Sequence, residues 1–183
     1  MEGMVVQEGA SKTGTPYIIR YPKSDDAEGV WKYINRLSKE VTFVTFQGEE
    51  ISLEKEIEAV DNWKKRIADG KGVVLFLEIA GEIQGISDLE MGSRTEAHTG
   101  ELGISVDKSV RGQGLGEILM RAIQSESIRV LSGLEIFMLG VKEPNDIGVR
   151  LYEKLGFKEY GRLPNGTTQN GTRVGLILMY KNV

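Results

Sequence analysis

The chain has 183 residues, 40% hydrophobic and 27% charged, the size and make-up of one soluble globular domain rather than a disordered segment. Its net charge of -4 argues against broad binding to nucleic acid or an anionic membrane. No stretch reaches the roughly 20 apolar residues of a membrane span, and no apolar signal core opens the sequence, so a cytoplasmic location is expected. The absence of cysteine excludes disulfides, thiolate metal sites and a cysteinyl acyl-enzyme, and a single histidine, His98, is too few for the usual His-rich metal centre, so no metal is expected.

In chain order, residues 1–16 are polar and rich in Gly, Ser and Thr, and read as a flexible tail or an edge strand, with one domain over 17–183. Tyr17–Tyr21 reads as a strand. Ser24 and Asp25 are candidate caps for a helix to about Ser38, with Val30, Ile34 and Leu37 at helical spacing. Ser52 opens a second helix whose apolar stripe is expected to be Leu53, Ile57, Val60 and Ile67, with Trp63 beside it, ending at Asp69-Gly70. Residues 72–80 and 83–91 form a hairpin about Ala80-Gly81-Glu82, and Thr99–Val106 alternates as a strand.

Leu115–Leu131 has helical periodicity, its expected buried stripe running from Leu115 to Ile128. Leu134–Val141 reads as a strand, and a helix from Pro144 to Leu155 is closed by Gly156. Two strands, Lys158–Leu163 and Thr172–Lys181, flank a turn-rich loop, PNGTTQNG. Hairpin links make antiparallel neighbours and helical crossovers make parallel ones, so an α/β domain with a mixed sheet is predicted.

The chemistry concentrates at Arg111-Gly112-Gln113-Gly114-Leu115-Gly116, between a strand and a helix. Glycines there admit positive φ, and backbone N–H groups converge with the positive end of the helix on one point, an anion site suited to a phosphate or pyrophosphate. A Walker loop would need Gly-Lys-Ser/Thr at its end, where Leu115-Gly116-Glu117 stands; the dinucleotide fingerprint would need Gly or Ala at Glu117. The Arg111 side chain can serve as a charged donor or brace the loop.

ELGISVDKSVRGQGLGEILM (residues 101–120) resembles the acetyl-CoA-binding motif of the GCN5-related N-acetyltransferases, Arg/Gln-x-x-Gly-x-Gly/Ala. Asn145–Phe157, NDIGVRLYEKLGF, resembles the family's Asn-x-x-Ala-x-x-Leu-Tyr-Glu-Lys-x-Gly-Phe segment, with Gly148 at the usual Ala. The resemblance implies a mostly antiparallel central sheet flanked by helices, with a splayed parallel strand pair holding the CoA arm. It implies acetyl-CoA as co-substrate and a small-molecule or peptide amine as acceptor, by direct attack in a ternary complex, with homodimer formation left open. A non-catalytic acyl-CoA-binding relative is the alternative.

On that resemblance the pantetheine arm lies against Ile104, Ser105 and Val106, and the pyrophosphate on the N–H groups of Arg111, Gly112, Gln113, Gly114, Leu115 and Gly116. Asn145 bonds the arm through its amide or caps its own helix, and the two uses are compatible. Tyr152 resembles the general acid that protonates the leaving thiolate, against a reading as a half-buried aromatic. Glu101 and His98 are the candidate bases, expected on opposite faces of a regular strand, and the resemblance also allows a water chain with no single base. Trp31, Tyr33 and Trp63 are expected near the acceptor pocket, although tryptophans at such spacing are more often core.

Overall fold

The computed structural model describes residues 1–183 as an eight-stranded sheet with helices on both faces. Its elements are Val5–Ala10 (β1), Pro16–Arg20 (β2), Ala27–Lys39 (α1), Leu53–Ala68 (α2), Gly72–Ile79 (β3), Glu82–Met91 (β4) and Thr99–Val106 (β5). Leu115–Val130 (α3), Ile136–Lys142 (β6), Asp146–Lys154 (α4), Lys158–Gln169 (β7) and Thr172–Asn182 (β8) follow. The strand order is β1-β2-β3-β4-β5-β6-β8-β7, and only β5 and β6 run parallel. No helix is long and apolar enough to cross a membrane.

β3 shows why the sheet sits at the centre. Val73, Leu75 and Leu77 face one side and Val74 and Phe76 the other, all buried, as expected of a strand covered on both faces. The first set packs with Leu115, Leu119, Met120 and Ile123 of α3; the second packs with Val30, Tyr33, Leu37 and Val60 of α1 and α2. Ala80 and Gly81 turn the β3–β4 hairpin with φ of 52° and 82°.

The feature that positions the site is a divergence. β5 and β6 are in register only at Thr99↔Ile136, Gly100↔Phe137 and Glu101↔Met138. Beyond that rung each strand follows its outer antiparallel neighbour: β5 stays with β4 as far as Val106↔Gly85, and β6 stays with β8 as far as Lys142↔Leu176. With each strand twisting toward its own partner, a wedge opens between them. The mostly antiparallel sheet with a splayed parallel pair is as the sequence led us to expect.

Several local expectations need correction. Of the two readings of residues 1–16 the edge strand is the one observed, and the tail is not: β1 pairs with β2 from Val5↔Arg20 to Ala10↔Pro16. As an edge strand with mostly exposed side chains, β1 lacks the apolar alternation that marks a buried strand. Asp26, not Ser24 or Asp25, precedes α1, and its carboxylate is held by Arg20 at 2.7 and 2.8 Å. On α2, Leu53 and Ile57 are exposed, and the inward line is Glu56, Val60, Trp63 and Ile67. Ile128 on α3 is likewise exposed. β7 runs on through most of the expected loop, bulging between Leu163 and Thr167, and turns only at Asn170-Gly171.

Candidate active site

The glycine loop leads from β5 into α3 and is shaped for an anion. Gly112 and Gly114 adopt φ of 77° and 81°, the left-handed region in which a side chain would be strained. Gly114 occupies the position before α3 and no side chain caps the helix, so its first N–H groups are left for a ligand or water. The Arg111 side chain braces the loop: its Nε donates to Val106 O at 2.8 Å and its guanidinium pairs with Glu40 at 2.6 Å. Gln113 anchors the loop to the N-terminal hairpin, its Oε1 accepting from the hydroxyls of Ser11, Thr13 and Thr15 at 3.1, 2.7 and 3.0 Å.

Glu117 does not oppose an anion here. Lys154 and Arg121 engage its carboxylate at 2.6 and 3.0 Å, and those hydrogen bonds, Lys154's foremost, hold it below the usual carboxylate range. The Lys12 side chain, meanwhile, lies across Gly114, its Cδ and Cε at 3.0 and 2.9 Å from where a Cβ would sit. Sequence reading missed Lys12 because it comes from the far end of the chain.

From this loop the unpartnered edge of β5 runs into a cavity of about 510 Å³, within the range of small-ligand sites. Ile104, Ser105, Asn145 and Tyr152 all line it, so four of the residues singled out from sequence converge; Val106 lies at the loop end of the same edge. Ser105 Oγ accepts from the Tyr33 hydroxyl at 2.8 Å, fixing β5 against α1. Asn145 caps α4, its Oδ1 accepting from Gly148 N–H at 3.0 Å. A Cβ on Gly148 would lie 2.6 Å from Asn145 Nδ2, so a side chain there would require the Asn145 amide to shift.

Tyr152 sits on α4, its ring edge-on to Phe157 at 6.1 Å. No protein group bonds to its hydroxyl, and burial pushes its phenol up to about 12. It therefore stays protonated across the ordinary pH range.

The two candidate bases lie elsewhere. Glu101 is exposed and pairs with Met138 on the last rung before the strands part, so it lines a neighbouring concavity with Glu90, Thr99 and Tyr160. The His98 side chain is exposed ahead of β5, and its carbonyl accepts from Glu135 and Ile136 at the start of β6. Neither shares the cavity with Tyr152.

The opposite wall is built by residues distant in sequence. Lys142, at the end of β6, gives its three ammonium protons to Val44 O, Thr168 O and Gln169 Oε1 at 2.8, 2.9 and 3.0 Å, and burial lowers its pKa. It thereby ties the α1–α2 loop to the β7–β8 hairpin. Phe43, Phe46 and Trp63 line the apolar part, whereas Tyr33 is buried behind Ser105 and Trp31 donates to Ile51 O, outside the cavity. Glu56, which sequence reading placed outside the buried stripe, reaches the cavity from α2.

Comparison with known proteins agrees with this geometry. Residues 31–157 match the Acetyltransferase (GNAT) family. The chain is 31% identical over 86 residues, 44% of its length and 48% of the relative's, to YwnH of Bacillus subtilis, provisionally named a phosphinothricin acetyltransferase. It spans less than half the length of the curated relatives it matches. Among solved structures, a GNAT-family acetyltransferase of Streptococcus pneumoniae superposes with a TM-score of 0.82 at 26% identity, covering 91% of this chain and 99% of the other. YncA of Salmonella typhimurium, solved with its cofactor acetyl-CoA, superposes with a TM-score of 0.77 at 19% identity, covering 91% and 93%. The matched region contains the glycine loop, the parted strands and the Tyr152 helix alike, and the chain belongs to the GNAT family of acetyltransferases.

Proposed function

We propose that this chain transfers an acetyl group from acetyl-CoA to a primary amine by direct attack in a ternary complex. The observation that carries the reading is one continuous path: an uncapped helix start at Gly114, the free edge of β5, and a cavity holding the protonated Tyr152. The N–H groups of residues 111–116, with Lys12 beside them, would hold the pyrophosphate. The β5 edge at Ile104–Val106 and the Asn145 amide would hold the pantetheine arm, much as an added strand is held. Acetyl-CoA, when bound, supplies a thioester carbon open to attack by nitrogen.

The acceptor attacks as its neutral amine, making an N–C bond and breaking a C–S bond; the proton that nitrogen loses passes through water to replace the one that Tyr152 gives to sulfur. Tyr152 holds its phenolic proton for the sulfur, and its apolar setting keeps that proton in place until thiolate charge develops. The apolar cavity walls limit the water that competes for that proton. Glu101 and His98 lie on the paired side of the point where β5 and β6 part, so either would act as base only through water.

The test is steady-state turnover with acetyl-CoA and a panel of phosphinothricin, arylalkylamines, diamines and short peptides, followed by thiol release and product mass. Intersecting double-reciprocal lines and an acetylated nitrogen are expected. Parallel lines would contradict direct attack. Binding of acetyl-CoA without turnover of any amine would favour a CoA-binding protein instead.

A further inference from the structure

One charged group in the cavity has no partner. Glu56 is 5% exposed, lines the cavity that holds Tyr152, and makes no hydrogen bond or ion pair with any protein group. It stands on the inward line of α2 with Val60 and Trp63, so helix packing fixes its direction. Its carboxylate oxygens open onto the cavity instead of being sealed in the core, and burial raises its pKa with nothing to offset it.

Two other charged side chains line the same cavity, and both are already engaged. Asp88, on β4, accepts from Arg66 at 2.8 Å. Lys142 has donated all three of its protons to Val44, Thr168 and Gln169, so it has none left for a carboxylate or phosphate on a ligand. Among the charged side chains the open valences are therefore acceptors, on Glu56 and on the second oxygen of Asp88; of the cavity's free donors, the Tyr152 hydroxyl and the Asn145 amide are those given above to the coenzyme. Around it the walls are aromatic and aliphatic: Phe43, Phe46, Trp63, Ile34 and Leu37.

Resting on the amine-acetyltransferase reading above, we infer that Glu56 binds the ammonium group of the incoming acceptor, which gives up one proton to water before it attacks, and that the acceptor class is a cationic amine on an apolar body with no anionic group. A free amino acid would place its carboxylate beside the unpaired Glu56, with every proton of the one lining cation, Lys142, already given away. An arylalkylamine satisfies Glu56 and fills the aromatic wall, with cation–π contact to Trp63 or the phenylalanines as added attraction.

The experiment uses a matched pair, phenethylamine and phenylalanine, which differ by the carboxylate alone. Wild-type protein is expected to prefer phenethylamine at least tenfold in kcat/KM. Glu56→Gln keeps the side-chain volume and removes the charge. It should raise the phenethylamine KM at least tenfold, leave the acetyl-CoA KM within twofold, and not lower the melting temperature at pH 7. Glu56→Asp should recover part of the loss.

A second arm needs no turnover. Phenethyltrimethylammonium, which cannot be acetylated, should raise the wild-type melting temperature and fail to raise that of Glu56→Gln. Equal use of the two matched substrates, an unchanged phenethylamine KM in Glu56→Gln, or equal stabilisation of both proteins by the quaternary amine would overturn the inference. Loss of acetyl-CoA turnover with every amine, while the quaternary amine still stabilises only wild-type protein, would overturn the acetyltransfer reading and leave Glu56 as a cation site.

Discussion

Replacing Tyr152 by Phe removes one hydroxyl and little else. The ring keeps its edge-on contact with Phe157, and the lost oxygen bonds to no protein group, so folding stability should change by no more than about 0.5 kcal/mol. The effect falls on turnover. General acid catalysis contributes on the order of 10²–10⁴-fold, so kcat should drop at least about 100-fold, or roughly 2.7 kcal/mol at 1.36 kcal/mol per tenfold. Because burial holds the phenol up to about 12, the wild-type rate should show no alkaline fall near 10, where a free tyrosine titrates.

The linkage to stability has a definite sign. A phenol whose folded-state pKa is raised contributes stability that is fully present below 10 and is lost as pH rises through about 12. The assay is thiol release at saturating substrates between pH 6.5 and 9.5, with melting curves run alongside. A kcat within threefold of wild type across that range would refute the acid assignment. A fall in kcat tracked by an equal loss of folded protein would refute the claim that the hydroxyl acts only in turnover.

Three further outcomes follow from the same geometry. Lys12→Ala should raise the acetyl-CoA KM roughly fivefold, about 1 kcal/mol of exposed charge interaction, at 0.05 M salt; the effect should shrink at 0.5 M, and a salt-independent change would remove Lys12 from the anion site. Lys142→Met leaves Val44 O, Thr168 O and Gln169 Oε1 without their donor and should cost about 1–3 kcal/mol, a melting shift of roughly 2–12 °C, together with a raised acceptor KM. Glu56→Gln should gain in melting temperature over wild type as pH rises above the ordinary carboxylate range, because the unfolded chain ionises there while the buried Glu56 resists. No gain at pH 7 relative to pH 4.5 would mean that Glu56 carries no unpaired charge.

The residues that sequence made legible are those whose neighbours in space are neighbours in the chain. Gly112 and Gly114 bend the backbone where it passes from β5 to α3, and Asn145 caps the helix that carries Tyr152, so local pattern was enough. The parting of β5 and β6 was legible only through family resemblance, because it arises from the competing pull of β4 and β8. The opposite wall was legible only at Trp63: Lys142 joins Val44 to Gln169, and no spacing in the sequence marks that junction.

Glu56 was missed for a specific reason. Leu53 and Ile57 drew the apolar stripe of α2 one residue around the helix, about 100° from the line the fold buries. An apolar residue at an exposed position is ordinary, whereas a buried carboxylate is not, so periodicity alone selected the wrong neighbour. Glu101 is the converse case. It lies on the right strand, but one rung short of the point where the cavity opens.

The most direct test of the central claim is a melting experiment with acetyl-CoA, ATP and NAD in parallel. Acetyl-CoA at 100 times its dissociation constant should stabilise the protein by about 2.7 kcal/mol, which for a chain of this size is roughly 5–11 °C. ATP and NAD at equal concentration should give much smaller shifts. A melting temperature unmoved by acetyl-CoA, or moved equally by all three, would contradict the account.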